Sequence, residues 1–228
     1  MLSGFVISYA YDDRWRNKST RLQDKESTSK PMTFGNFIKR RLIRLHPMVV
    51  MGAVIGLITY LLQGGVQWDG TQVSFHWIMI AFFLAMCLIP VYPSAPYDVR
   101  GNGEMYPLNG SMWSLFFEYI SNILYALIIR RFSTKLLAVL AVVLGAVHAW
   151  IFTHDMAGYG MMGVGWTMDT INFWSGLVRM MFPFTVGMLL ARTFKPRKIK
   201  GAFWLCSAIL IFLFTRPFIS AQSCINLN

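Results

Sequence analysis

Hydrophobic positions in this chain come in long, nearly unbroken runs, not in the alternation of a half-buried strand. Apolar runs occupy Met1 to Tyr11, Pro47 to Leu62, Phe75 to Tyr92, Ser111 to Ile129, Leu136 to Phe152, Ile171 to Ala191 and Gly201 to Thr215. Most approach the roughly 20 residues that carry a helix across a hydrocarbon core of ~30 Å, and none alternates like a barrel strand. The pattern predicts an all-α, polytopic transmembrane helix bundle of about six spanning or re-entrant helices. The run at Met1 is too short to span and reads as part of a further helix.

One of these runs carries a charge. Glu118 sits inside Trp113-Ser114-Leu115-Phe116-Phe117-Glu118, where a carboxylate costs several kcal/mol unless paired or wetted, and such a residue is a functional candidate by default. At 100° per residue, Ser111, Ser114, Glu118, Ser121, Asn122 and Tyr125 share an arc of roughly 100°. Leu115, Phe116, Ile120, Ile123, Leu127 and Ile129 occupy the other side. One face suits lipid or packed neighbours and the other a polar cavity. A polar seam that joins helices by hydrogen bonds would give the same pattern.

Composition agrees with the membrane class: of 228 residues 55% are hydrophobic and 14% charged, too apolar for an ordinary soluble domain. The chain reads as a single domain, 1–228. The net charge of +11 is unevenly placed, with ten Lys or Arg between residues 12 and 44 and five more between Arg192 and Lys200. The positive-inside rule makes 12–46 a basic cytoplasmic loop and puts Gly64–Ser74 and Thr153–Thr170, which lack Lys and Arg, outside. If every run crossed, Arg130, Arg131 and Lys135 would then be external, against the rule. Making Phe75 to Tyr92 re-entrant or interfacial removes the conflict and places the loop Pro93 to Asn109 outside as well. Topology accounts for the charge without nucleic acid. Residues 218–228 form a polar tail expected to be disordered.

Arg41 and Arg44, three apart in Phe37-Ile38-Lys39-Arg40-Arg41-Leu42-Ile43-Arg44-Leu45-His46-Pro47, share a helix face. Their planar forks suit the oxygens of a phosphate-bearing ligand; the alternative is a pair of snorkelling anchors against anionic lipid heads. Arg179 falls inside an apolar run, positioned to line the Glu118 cavity or pair with that carboxylate. Gly52 and Gly56 suit close helix packing. His46, His76, His148 and His154 have no spacing typical of metal ligands, and the three cysteines, Cys87, Cys206 and Cys224, suggest neither a disulfide framework nor a zinc site. Gly158-Tyr159-Gly160-Met161-Met162-Gly163 matches a dinucleotide-binding pattern but follows no strand, so it is read as a chance match.

Taken together, these residues resemble the acyltransferase 3 family of bacterial membrane-bound O-acyltransferases, which modify surface saccharides. The resemblance rests on Leu2-Ser3-Gly4-Phe5-Val6-Ile7, on Phe37 with Arg41-Leu42-Ile43-Arg44-Leu45 and Pro47, on Trp113-Ser114-Leu115 with Glu118, and on Arg179 followed by Phe184 and Gly187. It implies transfer of an acyl group, usually acetyl, from cytoplasmic acyl-CoA to a saccharide or glycolipid hydroxyl at the outer face of the bacterial cytoplasmic membrane. It also implies that Arg41 and Arg44 meet coenzyme A phosphates and that Glu118, with Ser114 and Trp113, supports the transfer cavity. Asn122, Tyr125 and Arg179 are the expected cavity lining. The family's presumed catalytic histidine precedes the Leu2-Ser3-Gly4-Phe5 segment, so the chain is expected to be an incomplete copy, cut at both ends, that does not encode that base. The expectation is therefore a multi-pass membrane acyltransferase with acyl-CoA as donor, no metal, and membrane lipid and a saccharide as partners. The competing reading is a non-enzymatic membrane protein or transporter-like remnant whose polar pathway runs past Glu118.

Overall fold

In the computed structural model, residues 2–16, 32–156, 164–194 and 201–215 are described. Seven α-helices account for most of them, in the order α1 Leu2–Arg16, α2 Phe34–Leu62, α3 Phe75–Met86, α4 Met112–Leu127, α5 Thr134–Thr153, α6 Thr170–Thr193 and α7 Ala202–Thr215. Helix α7 belongs to a separate compact unit beginning at Phe194. The candidate Gly158–Gly163 pattern and the 218–228 tail lie outside the described residues.

Three of the helices start where a short polar side chain caps them. Thr33 Oγ1 accepts from the Asn36 N–H, Ser133 Oγ from Leu136, and Asp169 Oδ2 from Asn172, each satisfying a donor of a first turn that has no intrahelical partner. Of these helices α2, α5 and α6 are long and apolar enough to cross a membrane. Their outer faces remain apolar, as at Met51, Ile55 and Ile58 of α2 and Val139, Val142 and Val143 of α5, all exposed. This is a helical membrane bundle.

Two boundaries differ from the sequence reading. The basic segment 12–46 is not loop throughout: α1 continues to Arg16 and α2 already begins at Phe34, because the amphipathic residues before Pro47 extend the apolar run as one helix that passes through the proline. Helix α3 ends at Met86 instead of reaching Tyr92, and Leu88 turns the chain with φ 56°. Its 12 residues reach about 18 Å, short of a bilayer core.

After α3 the chain returns to the end of α2. Residues 88–111 fold onto the loop that leaves α2: Tyr60 Oη donates to the Val99 carbonyl at 2.7 Å, the Trp68 N–H to Arg100 at 3.2 Å, and Asn109 Nδ2 to Gly52 at 3.1 Å. The segment before α6 joins the same layer, with the Met105 N–H donating to the Trp166 carbonyl at 2.7 Å. Three loops thus share one end of the bundle, and α2 and α4 both meet it. Gly52 and Gly56 serve this layer, not a neighbouring helix. A Cβ on Gly56 would lie 2.5 Å from the Leu108 carbonyl oxygen.

The opposite end holds Arg130, Arg131 and Arg192 with the end of α1. Its core gathers Ile7, Phe37, Tyr125, Leu137, Phe184 and Met188 from five helices. Helix α1 runs alongside α6 in the same direction, since Gly4 abuts Phe184 and Asp12 abuts Arg192. It also runs parallel to α4, where Ser3 meets Glu118 and Tyr125 meets Asp12.

Candidate functional site

The polar arc of α4 turns inward. Ser121, Asn122 and Tyr125 are buried, Ser114 and Glu118 half-buried, while Ile123 and Leu127 on the other side are exposed. Glu118 is reached by Ser3 of α1, whose hydroxyl donates to Oε1 at 2.5 Å. That contact supplies the polar partner an intramembrane carboxylate needs, and Gly4 beside Ser3 makes it possible. A Cβ at Gly4 would come within 2.0 Å of the Phe184 carbonyl oxygen, so only glycine lets α1 approach this closely.

Arg41 completes the chamber from α2. It is 3% exposed, its guanidinium carbon lies 5.1 Å from the Tyr11 ring centre and 5.5 Å from that of Phe37, and Glu118 and Tyr125 are within Coulombic reach. Among the described residues its Nε and Nη2 have no hydrogen-bond partner, and neither has the Asn122 amide at Nδ2 or Oδ1. Arg44 is exposed. The pair therefore does not present one common surface: Arg41 enters the chamber and Arg44 stays at its basic rim.

Trp113 and Arg179 meet nearer the loop end. The Arg179 guanidinium lies 4.9 Å from the Trp113 ring centre and Nη1 donates to the Val164 carbonyl at 3.2 Å. Ser114 donates back to Ser111 within its own helix. His148 stacks on Phe182 and His154 contacts the Trp150 carbonyl.

Sequence reasoning missed a second constellation about two helical turns along α4 from Glu118 towards the basic end. Asp12 accepts from Tyr125 Oη at 2.7 Å, from Ser8 Oγ at 2.7 Å and from Arg192 Nε at 2.6 Å. Arg192 Nη1 also donates to the Phe132 carbonyl. The signal is an acid, Asp12, directly after the first apolar run and a base, Arg192, directly after the sixth, which sequence position alone groups with the flanking loop charge.

The loop layer carries an open polar cleft of about 610 Å³ lined by Gln67, Pro93, Ser94, Asp98, Asn102 and Gly103 among others. Both Asp98 oxygens are engaged by the Gly101 and Gly103 N–H groups. Nearby, burial pushes the Glu104 carboxyl above its ordinary range, against the lowering effect of the bond from Asn102 and of Arg100. Among the described residues His, Cys, Asp and Glu form no cluster of three able to hold a metal ion.

A bundle apolar outside, with a half-buried carboxylate, a buried arginine and a buried amide inside, defines a helical membrane protein with a polar interior. Comparison with family models is specific: residues 1–223 match the acyltransferase 3 model, described as an acyltransferase domain. The chain belongs to the acyltransferase 3 family and is a membrane acyltransferase. Comparisons with curated proteins and with solved structures gave no match.

Proposed function

We propose that the protein transfers an acyl group, acetyl in the simplest case, from acyl-CoA to a hydroxyl of a cell-envelope saccharide or glycolipid, within a bacterial cytoplasmic membrane that it crosses several times. The observation that carries this reading is the buried Arg41, with two unpaired guanidinium nitrogens, beneath the exposed Arg44. A donor entering from the basic end passes Arg44, then Arg41 beside Tyr11 and Phe37, and then the inward face of α4. Guanidinium forks of this kind suit the phosphates of the donor.

The acceptor is assigned to the loop end. The polar cleft there offers the Gln67 and Asn102 amides, the Ser94 hydroxyl and the proline faces beside the Asp98 carboxylate, a surface suited to a hydroxylated ligand. Glu118 takes a supporting role, ordering groups around the transfer cavity through Ser3.

Membranes carrying the chain, supplied with radiolabelled acetyl-CoA and envelope glycan, test the reading together with equilibrium binding of acetyl-CoA. Binding lost in Arg41→Ala is the expected result, and transfer, measured with the family's histidine-bearing helix supplied together with the chain, should be lost in both Arg41→Ala and Glu118→Gln. Acetyl-CoA binding indifferent to Arg41→Ala would overturn it, as would proton-coupled uptake of a solute that disappears in Glu118→Gln.

A further inference from the structure

Asn122 is 1% exposed, and both polar atoms of its amide lack a partner. Leaving such a group unpaired is costly, and the great majority of buried polar groups in folded proteins are satisfied. An entire orphaned amide therefore calls for something to pair with it.

Its neighbours on the same face have other commitments. One turn towards the loop end, Glu118 accepts from Ser3; three residues towards the basic end, Tyr125 donates to Asp12; and the adjacent Ser121 donates to the Phe117 carbonyl. Two other orphans belong to this region: Tyr119 Oη, three residues earlier on α4, and Arg41, whose guanidinium rests on Tyr11 and Phe37 within Coulombic reach of Glu118 and Tyr125 on either side of Asn122. Arg41 and Asn122 differ in chemistry. A guanidinium is all donor and cationic, matching an anion. A carboxamide is neutral, with Nδ2 suited to an acceptor oxygen and Oδ1 repelling an anion. Asn122 thus fits a neutral carbonyl.

We propose that Asn122 is the acyl-carbonyl-binding residue of this chain, its Nδ2 donating a hydrogen bond to the thioester carbonyl oxygen of the acyl donor. This assignment rests on the acyl-transfer reading above. It gives Asn122 contact with the part of the donor that is transferred, leaving the arginines to the part that is not.

The test uses the whole chain in lipid nanodiscs and acetyl-CoA isotope-labelled at the thioester carbonyl. Infrared difference spectra of the bound wild type should show the carbonyl band at lower wavenumber than the same thioester in an apolar solvent, and Asn122→Leu should move it back. In the same variant acetyl-CoA affinity should fall roughly tenfold, about one hydrogen bond's worth, while affinity for free coenzyme A, which lacks the acyl carbonyl, stays at the wild-type value. A wild-type band at the apolar-solvent position overturns the assignment without reference to any variant. So does a shifted band that survives in Asn122→Leu. Absence of acetyl-CoA binding by the wild type overturns the acyl-transfer reading itself, a result distinct from binding with an unshifted carbonyl.

Discussion

Arg192 Nε lies 2.6 Å from Asp12 Oδ2, tying the last turn of α6 to α1 across 180 residues of sequence. Both side chains are nearly buried, and Tyr125 donates to the other carboxylate oxygen. Breaking one member of a buried pair leaves an uncompensated charge and costs about 3–5 kcal/mol, whereas replacing both with apolar groups of similar size is nearly neutral. Arg192→Met is expected to lower thermal stability in detergent strongly, and Asp12→Leu combined with Arg192→Met to recover most of it. Differential scanning fluorimetry of the single and double variants measures this directly.

Close approach at glycine gives a second outcome. Gly176→Ala would place a Cβ 2.5 Å from Gly165 Cα and 2.8 Å from the Phe117 ring, forcing α6 away from α4 and the loop layer. A loss of about 1–3 kcal/mol is expected. Gly35→Ala, with nothing within 4 Å of the added carbon, should leave stability unchanged or raise it by up to about 1 kcal/mol. Chemical denaturation of the two variants side by side separates a packing effect from a helix-propensity effect.

Glu104 makes the loop layer sensitive to pH. Burial raises its folded-state pKa above the ordinary carboxylate value, so folding favours the protonated form. Its stabilising contribution is complete below the unfolded-state value and is lost as pH rises through the higher folded-state value. Glu104→Gln should therefore be more stable than wild type at neutral pH and flatten this part of the pH dependence. Melting temperatures taken from mildly acidic to neutral pH would show it; curves that stay parallel would contradict it.

Asp169 titrates in the other sense. Burial alone would raise its pKa, but bonds from Thr167 and from the Asn172 N–H and side chain outweigh this and hold it below the ordinary carboxylate value. Stability contributed by this cap is present above the unfolded-state pKa and is lost as pH falls through the folded-state value. Asp169→Ala is expected to cost about 1 kcal/mol, a difference that should shrink in acid.

Topology offers a last measurement. With the native cysteines replaced by serine, a cysteine at Ser94 should react with a membrane-impermeant reagent from the same side as one at Asp69, and one at Lys135 from the opposite side. Reaction of positions 94 and 135 from a single side would refute a re-entrant α3.

The residue pattern by itself determined the helical membrane class, the inward arc of α4 around Glu118, and the asymmetry of charge that made α3 suspect as a span. These follow from periodicity and local composition, which act along the chain and can be read along it. The tertiary structure decided the partners: Ser3 on Glu118, Arg41 separated from Arg44, Asp12 joined to Tyr125 and Arg192, and Gly52 and Gly56 packed against a loop where a helix had been expected. Each of those contacts depends on the depth at which two helices distant in sequence lie side by side. Packing sets that depth, because a buried charge or amide is stable only where another element brings it a partner.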